Sequence, residues 1–577
     1  MARPLRVAVE GCGHGTLNAI YESIRKSCEI NKWPGVDLLI IGGDFQAVRN
    51  MQDLNIMSCP PKYRKIGDFH EYYSGKRRAP YLTVFVGGNH EASSHLWELY
   101  YGGWAAPNIY YLGASSILNF RGLRIGGLSG IYNARDYTRT HHERLPYSFS
   151  DIKSVYHVRA YDTFKLHQAC EPVDIMVSHD WPSGIECNGD LAWLMRTKPF
   201  FKHDIEQGEL GSPPAKSLLY KLRPRYWFSA HLHVKFAAMV DHEEGKAGAE
   251  IQQQAEQKSE VAQEGERVSE VKNPDELEIE LDMDMDDPEG GVAIPTAGPV
   301  EVEPESTTAP AGNTDEIDLD LDLDLDEDTS AIPTSPLQAT PPAIPTPDVR
   351  NRYTRFLALD KCLPRRDFLQ ILEITPSPTA SVPHTTNSSG LAYDPEWLAI
   401  TRALNPHLHA QHSVLLQNTA GIAEEIARQR EWVEEHVVAA GKLDVPDDFA
   451  ITAPVHADVG EESWEQGPSE WRSPQTERFC GLVGIENGTV ESEGERERRM
   501  VRVREREARE ARDGGQGGRG RGGGRGWGRG GGGGGGGGGG RGGGGGGRGG
   551  GGGGRGRGGG GGGGYRGRGG RGAGGGE

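Results

Sequence analysis

The chain has 577 residues, and 85 glycines with 35 prolines exclude a wholly packed protein. Its net charge of −19 is uneven: residues 241–350 hold 31 acids against 5 bases, so the remainder is mildly basic and nucleic acid stays open as a partner. No apolar run reaches the ~20 residues that span a bilayer, the opening MARPLRVAVEG is too short in its apolar part for a secretory signal, and 7 irregularly spaced cysteines argue against a disulfide framework and for a reducing compartment, cytosol or nucleus.

Residues 1–240 read as one α/β unit. Its apolar runs, LRVAVE, DLLIIGGD, YLTVFVGGNH, LRIGGLSG, VDIMVSHD and YWFSAHLH, are short and rich in β-branched or aromatic residues, and each stops at a polar or glycine-rich cluster. Strands of this kind are buried on both faces, and the residues just past their ends lie at the carboxyl edge of a sheet, where α/β proteins place their sites. The stretch TLNAIYESIRKSCEI after the first run has helical periodicity.

Residues 241–350 turn to Glu, Gln, Pro, Thr and Ala and include ELEIELDMDMDDPE and DEIDLDLDLDLDEDTS. The alternation suits a strand, but every second residue there is acidic and like charges along one face repel, so a disordered acidic insertion is predicted. VKFAAMV before it and RYTRFLALDKCLPRRDFLQILEI after it both look like packed strands, which makes the insertion a long excursion from one loop. Residues 351–482 form a further globular piece, with helices at YDPEWLAITRALN and IAEEIARQREWVEEHVVAAGK. Residues 483–512 form a charged helix or linker. From Gly514 the tail, assigned to residues 513–577, is glycine broken by 11 arginines, with Trp527 and Tyr565, and it cannot bury a core.

The chemistry is concentrated at the strand ends. VAVEGCGHG puts Cys12 and His14 on one glycine turn, which taken alone is either an ordinary turn or a pair of ligands. The next ends supply Asp44, then Asn89 and His90, then His179, then His231 and His233. Oxygen and nitrogen donors of these types bind divalent first-row metals, and a shared carboxylate can hold two ions about 3.5–4 Å apart.

This order, x-x-His, Gly-Asp, Gly-Asn-His, His and His-x-His, resembles the calcineurin-like metallophosphoesterases, with Cys12 where that superfamily usually has Asp. GDFQAVRN, KYRKIGDFHEYYSG, GGNHEAS, YGGWAAPNIYYLG, GLRIGGLSGIYNARDY, YHVR and VSHDWPSGI narrow the resemblance to its RNA lariat debranching branch, over most of residues 5–236; FLALDKCLPRRDFLQ and YDPEWLAI resemble that branch's C-terminal domain. The resemblance implies a metallophosphoesterase β-sandwich flanked by helices (α/β/β/α), with a C-terminal helical domain and long disordered segments.

It also implies two metal pockets, Cys12, His14, Asp44 and His233 in one and Asp44, Asn89, His179 and His231 in the other, with Asp44 bridging. One or two ions of Fe2+, Zn2+ or Mn2+ are expected, the thiolate favouring Fe(II) or Zn(II) over Mg(II). The implied reaction is hydrolysis of the 2′-5′ phosphodiester at the branch of an excised intron lariat by metal-bound hydroxide, with His90 as general acid; the other reading of His90 is that it only fixes Asn89.

Residues 129–159 carry Tyr132, Arg135, Tyr137, Arg139, Tyr156 and Arg159, which suit base stacking and phosphate pairing and also suit a solvated polar loop. The tail reads as a weak RNA attractor or as a solubilising end. Expected partners are lariat RNA and spliceosomal or intron-associated proteins, with no membrane, in the nucleus and possible overlap with the cytoplasm. The competing functions are a nuclease or protein phosphatase of the same fold, and a non-catalytic RNA-binding scaffold. GDFQAVRN lacks the second Asp and the Arg of the phosphatase motif Gly-Asp-x-Val-Asp-Arg-Gly, the nucleases keep Asp at the first ligand position, and the scaffold requires a decayed metal constellation.

Overall fold

Thirteen strands among the described residues form two mixed sheets. They are β1 (Leu5–Glu10), β2 (Leu38–Ile41), β3 (Thr83–Phe85), β4 (Gly103–Ala106), β5 (Ile109–Tyr111), β6 (Ser115–Phe120), β7 (Leu123–Leu128), β8 (Ile175–Ser178), β9 (Tyr226–Ser229), β10 (Phe236–Asp241), β11 (Tyr353–Ala358), β12 (Leu369–Ile374) and β13 (Leu391–Tyr393). The first sheet runs β12-β1-β2-β3-β5-β4 and the second β10-β11-β9-β8-β7-β6-β13. The computed structural model describes residues 3–59, 61–243, 351–377, 385, 387–410, 412–458 and 467–516. The acidic insertion beyond residue 243 and the glycine-arginine tail beyond residue 516 lie outside them.

The two sheets share a core. Val7, Val9, Leu38, Ile40, Val84 and Val86 of the first sheet side pack with Ile125, Ile175, Val177 and Trp227 of the second. The alternate residues Ala8, Leu39, Ile41 and Phe85 face the other way, onto Leu17, Ile20, Tyr21 and Ile24 of the helix Leu17–Asn31. Burial on both faces is why these strands read as continuous apolar runs. The pairs β1-β2, β2-β3, β7-β8 and β8-β9 are parallel, so the chain leaves β1, β2 and β3 on one edge of the first sheet and β8 and β9 on one edge of the second.

The boundary expected between 1–240 and 351–482 does not separate compact units. β11 lies between β10 and β9, β12 pairs with β1, and β13 pairs with β6, so residues after the insertion complete both sheets. β10 and β11 are antiparallel with Asp241 opposite Tyr353, so the insertion leaves and re-enters at adjacent positions. The physical reason is that β10 and β12 are edge strands whose partners on the core side come from across the insertion, and neither sheet closes its hydrogen bonding without them.

A helical region covers this core through Pro395–Leu404, Thr419–Val433 and Pro474–Val483. Arg124 of β7 reaches Asp394 at 2.6 Å and Glu396 at 2.7 Å, at the start of the first of these helices, where Asp394 also accepts the Trp397 N–H. The unit Met1–Val503 holds both sheets and these helices. Of Arg504–Glu577, residues 504–516 are described, the end of the helix Glu493–Gln516. No helix among the described residues is long and apolar enough to cross a membrane.

Candidate metal centre

Every residue expected as a ligand comes after a parallel strand: Cys12 and His14 after β1, Asp44 after β2, Asn89 after β3, His179 after β8, and His231 and His233 after β9. Donor atoms of Cys12, His14, Asp44 and His233 all lie within 4.8 Å of one another. His14 Nε2 is 3.2 Å from His233 Nε2 and 3.7 Å from an Asp44 oxygen, and the His231 N–H donates to Cys12 Sγ at 3.2 Å.

The second expected set adjoins the first through Asp44. His179 Nε2 is 3.4 Å from Asp44 Oδ1 and 3.2 Å from Asn89 Oδ1, and the His179 and His231 rings lie 4.9 Å apart. The Gly42 carbonyl faces His179 Nδ1 at 3.0 Å and the Gln46 amide lies 3.2 Å from His14 Nδ1, contacts that fix the orientation of both rings.

Backbone strain marks the same loops. His14, Asp44, His231 and His233 have φ of 40°, 44°, 65° and 48°, a left-handed conformation that costs a non-glycine residue about 1–3 kcal/mol. Space is equally constrained: a Cβ on Gly88 would lie 2.2 Å from Asp44 Oδ1 and 2.7 Å from His179 Nε2. At Gly43, where φ is +123°, a Cβ would lie 2.2 Å from His179 Nδ1.

The electrostatics suit cations. Burial pushes His14 down to about 4, His231 to about 3 and His233 to about 2, and it lowers His179 as well, so these imidazoles are neutral and present lone pairs. Burial works against the charge of Asp44, but the facing His179, His90 and His14 hold its carboxyl well below the usual range. Burial, with Asp44 and Glu10 close by, pushes the Cys12 thiol up; a cation bound beside it would release its proton. One ionised carboxylate, four neutral imidazoles, an amide oxygen and a thiol fit first-row divalent ions.

His90 is half-buried at the mouth. Its N–H donates to Asp44 Oδ1 at 2.9 Å, and its ring centre is 5.7 Å from that of His14. Of the residues expected to meet RNA, Arg135 and Arg139 are exposed, Arg139 pairing with Asp136 at 2.9 Å. Tyr132 and Tyr137 stand edge to face at 5.6 Å, the Tyr137 hydroxyl bonds Thr163 at 2.8 Å, and the Tyr156 hydroxyl bonds Ser58 at 3.1 Å. Arg159 requires correction. It is fully buried, with its guanidinium on Glu143 and the Ser154 carbonyl, so it braces the loop from inside and has no face for a phosphate.

Sequence reasoning missed the clamp on these loops. The Glu91 carboxylate accepts the N–H groups of Phe45 at 2.7 Å, Gln46 at 2.9 Å and Gly88 at 3.1 Å, tying the Asp44 loop to the Asn89 loop. Asp180 likewise accepts the Tyr132 N–H at 3.1 Å, tying the loop after β7 to the loop after β8. The only signal for Glu91 was its place beside His90 in GGNHE.

Residues 5–235 match the Calcineurin-like phosphoesterase family, and residues 351–488 match the Lariat debranching enzyme, C-terminal domain. The chain is 41% identical over 495 residues to the lariat debranching enzyme of Schizosaccharomyces pombe, covering 85% of this chain and 97% of that one. The chain belongs to the lariat debranching enzyme family. The Drosophila melanogaster member is 41% identical over 84% of this chain and 78% of its own length, and the Homo sapiens member 38% over 83% and 69%. The metallophosphoesterase fold of a lariat debranching enzyme implies divalent metal ions, and the donor set described above fits them.

Proposed function

We propose that this chain hydrolyses the 2′-5′ phosphodiester bond at the branch of lariat RNA, giving linear RNA for intron turnover. The reading rests on family membership, and the observation that carries it is the convergence of seven ligand residues from five strand ends around Asp44. Cations held there supply charge neutralisation at the phosphate and activation of water. Cys12, His14, Asp44 and His233 hold one ion, and Asp44, Asn89, His179 and His231 hold the other. The Cys12 sulfur favours Fe2+ or Zn2+ at its pocket, while the nitrogen and oxygen donors also accept Mn2+.

His90 has its backbone fixed on Asp44 and its ring at the mouth. There an imidazole nitrogen delivers a proton to the ribose 2′-oxygen as it leaves, a departure that is poor without protonation. Tyr132 and Tyr156, with Arg135 and Arg139, line the approach and read unpaired bases and phosphates. An excised-intron substrate fits residence in the nucleus, with the cytoplasm as the alternative, and partners among spliceosomal or intron-associated proteins.

The test is the full chain, loaded with metal, on a synthetic 2′-5′ branched oligonucleotide with its 3′-5′ isomer as control. Release at the 2′-5′ bond with the 3′-5′ backbone intact supports the reading. Equal cutting of both linkages, or preferential cutting of linear DNA or a phosphopeptide offered alongside, contradicts it.

A further inference from the structure

Between β11 and β12 the chain crosses from the second sheet to the first, and it crosses directly beside Cys12. The Cys12 N–H donates to the Asp360 carbonyl at 3.3 Å, the Cys362 N–H donates to the Cys12 carbonyl at 3.3 Å, and the Gly11 N–H donates to the Phe368 carbonyl at 3.1 Å. The approach is so close that a Cβ on Gly11 would lie 2.1 Å from the Asp360 oxygen.

This crossover carries DKCLPRRD, residues 360–367. Asp360 is buried and directed inward, accepting the Lys361 N–H at 2.7 Å and a longer contact from Arg366 at 3.5 Å. Lys361 is half-buried and pairs with Cys12 in an isolated parallel bridge, which sets its backbone directly beside the metal centre. Arg365 is exposed and has a φ of 65°, a strained conformation for a non-glycine residue. The crossover lies beyond the 5–235 span shared with phosphoesterases at large and inside the 351–488 span shared with the debranching C-terminal domain.

A branch nucleotide carries three RNA backbones, each a polyanion, and the metal ligands with His90 address a single phosphate. The others must meet walls of the cleft, where phosphate contacts come from lysine and arginine. We propose that this crossover is a second phosphate site: Lys361, with the exposed Arg365 further along the same crossover, binds backbone phosphates of the branched RNA other than the one that is cleaved. The proposal rests on the debranching reading of the same cleft.

Lys361→Gln and Lys361→Arg in the full chain test it, using kcat and KM for the synthetic branched oligonucleotide over a series of salt concentrations. Bound metal is measured by mass spectrometry on the same samples. Loss of one charge-assisted contact raises KM roughly tenfold in Lys361→Gln, with metal content at the wild-type level. The salt dependence of affinity flattens by roughly 0.7 per lost contact, and Lys361→Arg restores both. Affinity for a linear single strand of the same length, read by fluorescence anisotropy, falls in parallel and reports on the crossover whether or not the branch is cut. Unchanged KM and salt dependence in Lys361→Gln overturn the proposal. So does a loss of metal that Lys361→Arg fails to restore, which makes the crossover a support for Cys12 alone.

Discussion

The carboxyl edges of the sheets and the helical region packed on their core are built to opposite rules. In the helical region, local chemistry and tertiary packing agree. Pro395–Leu404 begins on an Asp394 cap, buries Trp397, Leu398, Ile400 and Leu404, and has its buried acids matched by Arg124. At the strand ends they disagree. His14, Asp44, His231 and His233 sit in a left-handed conformation, with neutral imidazoles turned toward one another and an ionised Asp44 among them. A sequence keeps such loops only where the surrounding structure enforces them, and here the enforcement is visible in Glu91, Gly43 and Gly88. The strand ends are therefore organised for ligand binding at the expense of local stability, and the helical region supplies stability without chemistry.

Variants separate the two regions. The largest effect is expected from His90→Ala. Turnover of branched RNA falls by about 10²–10⁴, the contribution of a positioned proton donor. Metal content and thermal stability stay close to wild type, as measured by mass spectrometry and calorimetry. Lost metal in this variant would mean that His90 serves Asn89 and Asp44 rather than the leaving oxygen.

Arg124→Ala is the converse. It leaves Asp394 buried without a cation and Glu396 with only the 3.8 Å contact from Arg430, which costs about 3–5 kcal/mol and lowers the urea midpoint, while the folded fraction retains its metal and turnover. A fall in kcat per folded molecule would show that the helical region reaches the chemistry after all.

The smallest effect concerns Lys165, buried with its ammonium 4.5 Å from the Trp397 ring. Burial pushes it down to about 8, against the opposing pull of Asp162. An unfolded chain holds that proton up to about pH 10.4, so between these values the unfolded state binds more protons. Wild-type stability accordingly climbs as pH rises from about 8 to about 10.4. Lys165→Met lacks that climb and is more stable at neutral pH by on the order of 1–2 kcal/mol. Equal pH dependence in the two proteins, read by urea titration, would remove the argument.

The strands and the gathering of the expected ligand residues at their ends were legible because each of those residues lies just past a doubly buried apolar run, a local signal. What joins the loops was not legible. Glu91 acts on backbone N–H groups at Phe45, Gln46 and Gly88, and backbone partners leave no trace in side-chain spelling. Arg159 looked like Arg135 in sequence, and only the fold shows one buried on Glu143 and the other exposed. Lys361 and β11 come after the acidic segment, so their return to Cys12 and to β9 depended on pairing across more than 100 residues.

The central claim is that Cys12 is a metal ligand in a pocket completed by His14, Asp44 and His233. X-ray absorption at the metal edge of the full chain loaded with Fe(II) or Zn(II) tests it most directly. One sulfur at about 2.3 Å from the metal in wild type, absent in Cys12→Asp together with a shift of preference toward Mn(II) or Mg(II), is the predicted result. A shell of nitrogen and oxygen alone in the wild-type protein would contradict it.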